Sequence, residues 1–479
     1  MEPNHLNFGG GVSETIVNPV ILLAALIVGI LMLTLHRRQV AGPFLAAALL
    51  ISTDHVLLIG GLHFPMLRVL ILFGAARIMR TKIATKERIF AGGVNFIDIA
   101  FLSFAMFTAL NGILLWRQMP AVVFQAGNLF SALGVYLILR FFIRDGEDVK
   151  RAIRTLVFVT AVVALIMIDE KATGHNPYYA LFGGAYSGKY ASVLVRDDHF
   201  RATGVFAHPI LAGTFGGIVM PLFVGLWWNS PKDRRIATVG VLSATVLPFA
   251  ASSSTALFGF IGGLVGLCFW PLRRNMRIIR WAILIVLVSL HLVMKAPVWH
   301  LISRIDLSGG SSSYHRFELI NQCILHYRDW FWIGTKDYAD WGWDMWDLSN
   351  QYVGTADTAG IIPFLSFLAI IVFGFKFLGK ARRAAARVSR KQELFIWAFA
   401  ASLFANVVAF FGIGYFDQTE VAWLAIVVTI AVISRRTRSE RTLATNEGTS
   451  QDAPTSVERI YSPGDNVSSH SSSLAPRSV

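Results

Sequence analysis

An arginine and a histidine stand out where a long polar segment meets an apolar stretch of the chain. They belong to the motif Arg201-Ala-Thr-Gly-Val-Phe-Ala-His208-Pro209. A guanidinium group is always charged and carries paired donors, so Arg201 at such a boundary can bind an anionic phosphate through two hydrogen bonds. His208 can face the same polar space. The alternative for Arg201 is an interfacial anchor, followed by an ordinary helix start with Pro209 in its first turn.

A second arginine, Arg316, follows His315 in the segment Tyr314-His-Arg-Phe-Glu-Leu-Ile320. Arg316 could bind a phosphate or a sugar. The alternative is an ion pair of Arg316 with Glu318 or Asp329 on a solvated helix face. The apolar spacing of Phe317, Ile320, Ile324 and Tyr327 predicts a helix over residues 314–330.

Tryptophan and acidic residues alternate in the stretch 341–352, which includes Trp343, Asp344, Asp347 and Asn350. Aromatic faces stack on sugar rings, and carboxylate and amide groups bind sugar hydroxyls, so this composition is typical of a carbohydrate site. The alternative is an aromatic belt at a membrane surface. A half-buried carboxylate has a raised pKa, and Asp344 or Asp347 could therefore serve as a general base.

The composition of the chain predicts that these groups are positioned by membrane helices. Hydrophobic residues make up 54% of the 479 residues and charged residues only 15%, whereas soluble proteins carry about 25% charged residues. A bilayer core of about 30 Å requires roughly 20 apolar residues per helix. This rule predicts an all-α polytopic protein with about thirteen spans, near 16–35, 41–62, 64–79, 95–116, 120–143, 152–168, 207–228, 236–252, 254–272, 278–294, 360–378, 393–413 and 420–434. The alternative for the second and third spans is one hairpin or a broken helix.

The distribution of positive charge predicts the sidedness of these spans. Lys and Arg concentrate in alternate loops, which the positive-inside rule assigns to the cytoplasm. The net charge of +14 is then a topology signal and requires no nucleic-acid partner. The rule predicts an external N-terminus, a cytoplasmic C-terminus and two external segments at about 169–206 and 295–359. Residues 437–479 are predicted to be a disordered cytoplasmic tail after a membrane domain over 1–436.

Other chemistries receive less support from the sequence. Cys268 and Cys323 match no metal-ligand spacing, and we expect neither metal nor cofactor. The few polar residues within predicted spans, such as Asp98 and Arg140, argue against a proton-coupled transporter. The polar run 252–255 could line a vestibule or form a simple external turn.

In their order along the chain, these motifs resemble those of the O-antigen ligase and polymerase superfamily, the WaaL/Wzy-like membrane glycosyltransferases. The resemblance covers about 150–435 and includes Arg201-x-x-Gly-x-Phe-x-His-Pro, the turn 252–255, Arg316, and Asn350-x-Tyr352 before Gly360. It implies a GT-C-like helical fold and a glycan donor on undecaprenyl diphosphate. Arg201 and Arg316 would bind the diphosphate, with Asp347 as the base. The other expected substrate contacts are Lys189, His208, His315, Trp343, Asp344, Asn350 and Tyr352.

Two departures favour a polymerase of exopolysaccharide or O-antigen repeats over a ligase. Ser349 occupies the position where ligases of the superfamily carry a histidine, and the turn 252–255 lacks the arginine found in many members. Asp347 or His315 would replace the histidine. The resemblance implies a bacterial inner-membrane location, a periplasmic site, and partners among membrane lipids and chain-length or export proteins. Transfer to lipid A-core, flipping of a lipid-linked oligosaccharide, and a non-catalytic scaffold are the alternatives.

Overall fold

The computed structural model describes residues 14–86, 88–90, 92–184, 194–196, 199–229, 231–304 and 312–433. The proposed ligand Lys189 and the predicted tail 437–479 lie outside these residues. In chain order the helices are α1 (Pro19–Thr34), α2 (Arg37–Leu50), α3 (Met66–Thr85), α4 (Phe96–Trp116), α5 (Met119–Phe142), α6 (Gly146–Thr173), α7 (Pro177–Phe182), α8 (Pro209–Asn229), α9 (Arg234–Ala250), α10 (Ser254–Cys268), α11 (Met276–Val293), α12 (Ser312–Leu325), α13 (Tyr327–Trp330), α14 (Gln351–Ala359), α15 (Ile361–Ala385), α16 (Arg390–Ala409) and α17 (417–433).

The all-α prediction is confirmed for the described part of the chain, and its long apolar helices support a multi-pass membrane protein. Seven of its helices are long and apolar enough to cross a membrane, namely α4, α5, α6, α8, α11, α15 and α16. Two shorter apolar helices, α1 and α10, accompany them. Helix α11 has no buried residue, and its exposed apolar run from Trp281 to Val288 suits a lipid environment.

The predicted span 41–62 is wrong in its second half. Helix α2 ends at Leu50, and a hairpin follows in which strand β1 (Val56–Ile59) pairs antiparallel with strand β2 (Leu62–Pro65). Gly60 and Gly61 adopt positive φ values at the hairpin turn, a conformation that glycine permits without steric cost. An apolar run interrupted by two such glycines therefore folds back before it can span a bilayer.

Two further groups of short elements lie in the segments predicted to be external. Strands β3 (Leu194–Arg196) and β4 (His199–Arg201) form a second antiparallel hairpin. The described part of 295–359 contains the 3₁₀ helices Val298–Arg304 and Tyr338–Trp341 besides α12, α13 and α14. Its buried side chains form a small hydrophobic core of their own, made by Leu319, Cys323, Trp330, Met345, Val353 and Ala356. The segment is thus a folded unit.

The predicted helix over 314–330 is confirmed in type, but its predicted apolar face is partly wrong. The chain forms α12 and α13 with a break at His326. Leu319 and Cys323 are buried, whereas Ile324 and Tyr327 are exposed. Packing of Leu319 and Cys323 against Trp330, Met345 and Val353 of the same segment selects this face.

Close helix packing around α8 forms the centre of the bundle. Within the most apolar 18-residue stretch of α8, 83% of the residues are buried. A Cβ atom on Gly217 would lie 2.8 Å from the backbone nitrogen of Phe260 in α10, and one on Gly225 would lie 2.5 Å from the Cβ of Ala398 in α16. Small residues let membrane helices approach this closely.

The two ends of the bundle are held by different contacts. Ion pairs join loops that the charge pattern assigns to one side, as in Arg37–Asp148, Arg154–Asp233, Arg273–Glu393 and Arg382–Glu393. Hydrogen bonds between neutral groups, or between an arginine and a neutral group, join the segments assigned to the other side, as in Ser52–Tyr178, Asn176–Thr203, Arg316–Thr255 and Gln418–Val205. The predicted grouping of loops by side agrees with these contacts.

Candidate functional site

The turn between α9 and α10 is the meeting point of the two arginines singled out in the sequence. Arg201, at the end of β4, is buried and donates from Nε to the carbonyl of Ala251 at 3.4 Å. The amide of Ala202 donates to the carbonyl of Ala250 at 3.1 Å. The end of this turn and the first two residues of α10 carry the buried hydroxyls of Ser253, Ser254 and Thr255.

Arg316 reaches the same turn from α12. Its side chain is buried, and Nη2 donates to Oγ1 of Thr255 at 2.7 Å. Arg201 thus contacts Ala251, and Arg316 contacts Thr255. These two partner residues are four positions apart in the sequence, so their Cα atoms are at most about 14 Å apart. Two guanidinium groups 115 positions apart in the sequence therefore flank one polar turn.

The backbone that carries Arg201 is held by Glu170, near the end of α6. The carboxylate of Glu170 is 1% exposed and accepts hydrogen bonds from the amides of Thr203 at 2.9 Å and Gly204 at 2.7 Å, and from the Thr203 hydroxyl at 3.0 Å. Asn176 donates to the Thr203 hydroxyl and to the Gly204 carbonyl. Gly204 has φ +62°, the left-handed conformation that glycine favours. This arrangement fixes the chain directly after Arg201.

Glu170 and Asn176 were not assigned a role from the sequence. Gly174, which ends α6 with a positive φ, places both residues next to a helix terminus. This was a usable signal, since polar residues around such a terminus often bond neighbouring backbone. Their partner, the Thr203–Gly204 turn, is more than 25 residues away in the sequence and could not be identified from spacing.

The histidine and the two acids singled out in the sequence lie beside Arg316. Nε2 of His315 is 2.9 Å from the carbonyl oxygen of Asp344, and Asp344 adopts a positive φ of 62°. Asp347 reaches the surface, yet its carboxyl group is partly covered, and this burial raises its pKa. The charges of His315 and Arg316 lower the pKa, and Asp344 raises it. The structure therefore brings Arg316, His315, Asp344 and Asp347 together.

The other predicted contacts divide between this group and the protein core. Trp343 is 78% exposed next to Asp344 and is available for stacking. Asn350 is fully buried and caps α14, since its Oδ1 accepts from the amides of Tyr352 and Val353. Its Nδ2 has no hydrogen-bond partner among the described residues.

Tyr352 and His208 make local structural contacts. The Tyr352 hydroxyl donates to the carbonyl of Val407 at 3.0 Å, and its ring packs on Phe410 and Phe411. These contacts hold Tyr352, partly buried, against the core beside α16. His208 precedes α8, and its Nδ1 accepts from the amide of Ile210 at 3.2 Å.

A second polar cluster, which the sequence interpretation did not identify, lies between the end of α2 and the start of α17. Asp54 is 2% exposed and hydrogen-bonds with Tyr179 and Ser52. Burial, with a smaller contribution from the nearby carboxyl group of Asp417, raises the pKa of Asp54 to about 6. His55 is fully buried, and neither of its ring nitrogens has a partner among the described residues.

No three histidine, cysteine or acidic side chains within the described ranges are arranged to hold a metal ion. Comparison of the chain with models of known protein families and with curated proteins finds no match. The relationship to the ligase and polymerase superfamily is therefore a prediction that rests on the motifs and on their arrangement around the α9–α10 turn.

Proposed function

We propose that this chain is a membrane glycosyltransferase that lengthens or transfers glycans carried on a polyprenyl diphosphate, with exopolysaccharide or O-antigen polymerisation as its reaction. The observation that supports this proposal best is the convergence of Arg201 and Arg316 on the α9–α10 turn, with His315, Asp344 and Asp347 alongside. Fixed cations beside a carboxylate, on a bundle of membrane helices, suit a reaction whose leaving group is a lipid diphosphate.

In the proposed reaction an acceptor hydroxyl attacks the anomeric carbon of the donor sugar. The bond between that carbon and the phosphate oxygen breaks, and the electron pair remains on the diphosphate. Arg201 and Arg316 stabilise the negative charge that develops there, because preorganised cations act most strongly on charge that appears in the transition state. Asp347 accepts the acceptor's proton. Trp343, exposed beside Asp344, stacks on a sugar ring.

The proposed topology has about thirteen spans, with an external N-terminus and the site on the periplasmic side of the bacterial inner membrane. The charge distribution among the loops supports it. A reporter enzyme that works only outside the cytoplasm is expected to be active when it is inserted after residue 330. Activity of a cytoplasmic reporter at the same position would contradict the proposed side of the site.

The decisive test is reconstitution of the purified protein in nanodiscs with an undecaprenyl-diphosphate-linked oligosaccharide. The wild type is expected to form longer lipid-linked glycans. R201K and R316K are each expected to lower the rate at least about a hundredfold, since lysine cannot reproduce two parallel hydrogen bonds. R328K is the matched control, because Arg328 is exposed on the same external segment and contacts Tyr327. Unchanged products in both site variants would remove the arginines from the mechanism.

Two rival functions have separate signatures in the same system. A ligase would not lengthen the lipid-linked glycan and would transfer it only when lipid A-core is added. A flippase would move the carrier head group between leaflets without forming a glycosidic bond. The buried pair Asp54 and Asp417 favours the flippase among the rivals, because proton-coupled transporters use buried carboxyl groups. If the chain is a flippase, D417N would slow movement of the head group, and neither the wild type nor D417N would form longer glycans.

A further inference from the structure

Lys171 connects two parts of the candidate site that are far apart in sequence. It lies in the last turn of α6, directly after Glu170. Its ammonium group donates to the carbonyl of Phe200 at 2.6 Å and to Oγ of Ser252 at 2.5 Å. Phe200 precedes Arg201, and Ser252 lies in the α9–α10 turn that both arginines contact. Lys171 is half-buried, so part of the residue remains exposed.

Among the described residues, the Lys171 ammonium group bonds only neutral acceptors. Its contacts in the described part of the chain are a carbonyl and a hydroxyl, and its neighbour Glu170 is engaged with Thr203 and Gly204. The positive charge of Arg201 is close enough to act unfavourably on that of Lys171. Two like charges held near each other in a partly buried place repel, and an anion between them converts this repulsion into attraction.

The conformation of Ser252 suits this arrangement. Its φ is +45°, a left-handed value that is unfavourable for a residue other than glycine. In this conformation its hydroxyl meets the Lys171 ammonium group. An ammonium group has three N–H donors, and the two contacts named above leave one for a phosphate oxygen.

We propose that Lys171 is a third cationic ligand of the same anion site and binds the diphosphate of the carrier together with Arg201 and Arg316. This inference rests on the proposed function for the identity of its ligand. It assigns the α6 terminus a direct role in donor binding. Residues 252–255 contribute hydroxyl groups to the proposed anion site but no positive charge. Lys171 supplies a positive charge beside them.

The test measures binding separately from transfer, with inorganic diphosphate and with undecaprenyl diphosphate in nanodiscs as probes. K171Q keeps a donor for Phe200 and Ser252 but removes the charge, and K171R keeps the charge. We expect K171Q to weaken binding of both probes about tenfold, the usual size of a charged hydrogen bond, and K171R to recover most of it. K336Q is the matched control, since the ammonium group of Lys336 lies over the ring of Trp116, away from the turn.

Three results would overturn the inference: K171Q binding within twofold of the wild type, K171R losing as much affinity as K171Q, or a wild type that binds neither probe. Thermal melting of each variant separates loss of affinity from loss of folding. Glycan transfer that persists while K171Q binds normally would refute only the role of Lys171. Lys171-dependent binding of diphosphate without any glycan transfer would refute only the proposed function.

Discussion

Glu170 acts on the site through backbone groups. Its buried carboxylate accepts three hydrogen bonds from Thr203 and Gly204. These residues lie two and three positions after Arg201 in the sequence. Gly204 can adopt the required conformation because it lacks a Cβ, and an added Cβ would lie 3.0 Å from Met167. The direction in which Arg201 points therefore depends on a carboxylate that need not touch the substrate, and Glu170 is a positioning residue.

Replacing Glu170 with Ala is expected to lower both stability and activity. The change leaves two buried amides without an acceptor, and each such loss costs about 1–3 kcal/mol. Thermal melting should show the loss of stability, and the KM for the lipid-linked donor should rise because Arg201 is no longer held. E170Q retains an acceptor oxygen and should lose less. E147A, at an exposed position in the first turn of α6, is the control, and equal melting temperatures of E170A and E147A would contradict the prediction.

Asp347 is expected to give the reaction an acidic pH limit. Burial raises the pKa of this carboxyl group above 3.8, against the lowering effects of His315 and Arg316. A general base must be ionised, so the rate should rise with pH through this raised pKa and then level off. The pH profile of kcat/KM measures this limit. D347N should reduce the rate by roughly 10²–10⁴-fold and abolish the acidic limb; an unchanged limb would assign the base to another group.

At the scale of elements, the segment 312–359 folds around its own small core beside the membrane bundle. Helix α12 contributes Arg316 to the site and Cys323 to this core, seven residues apart on one face. Asp357 of α14 lies in the same core, 2% exposed, and hydrogen-bonds with the thiol of Cys323. The position of Arg316 therefore depends on how firmly this segment is folded.

The stability of this segment is expected to fall as the pH rises. Burial raises the pKa of Asp357 from 3.8 to about 7, so the folded state binds a proton more tightly than the unfolded state. Its favourable contribution is complete below pH 3.8 and is lost as the pH rises through about 7. Tryptophan fluorescence, which includes buried Trp330, should show a lower melting temperature at pH 9 than at pH 5.5. In D357N this difference should shrink, and an equal difference in both proteins would contradict the prediction.

At the scale of the whole molecule, the site depends on close packing of α8, α9, α10 and α16. The α9–α10 turn lies between two of these helices, and α8 begins directly after the Arg201 motif. Glycines at their contacts bring the helix backbones together: a Cβ on Gly266 of α10 would lie 2.9 Å from the Cα of Ala401 in α16. This packing fixes the position of the α9–α10 turn, where Arg201 contacts Ala251 and Arg316 contacts Thr255.

Replacing Gly217 with Ala is expected to destabilise the bundle by about 1–3 kcal/mol. The new Cβ would lie 2.8 Å from a backbone atom of Phe260, which cannot move without shifting α10. G379A is a matched control, because a Cβ on Gly379 meets nothing within 4 Å, and alanine there should raise helix stability by up to about 1 kcal/mol. Thermal melting in nanodiscs compares the two. A melting temperature of G217A at or above the wild type would show that α8 and α10 are less closely packed.

The sequence by itself determined the class of protein and the distribution of its segments between the two ends of the bundle. Runs of about 20 apolar residues and the alternation of basic loops are local properties, and a bilayer acts on them directly. The motifs also identified Arg201, Arg316, His315 and Asp347 as candidates, because their residue types suit phosphate and proton chemistry. The function assigned to them is still a prediction.

The tertiary structure decided which of these residues meet and what holds them. The contacts of Arg201 with Ala251 and of Arg316 with Thr255 join positions 50 and 61 residues apart, and no periodicity encodes such pairings. The same holds for Lys171 at Ser252, for Tyr352 against the core, and for the buried face of α12. These outcomes follow from packing and from the need to satisfy buried polar groups, which depend on the whole bundle.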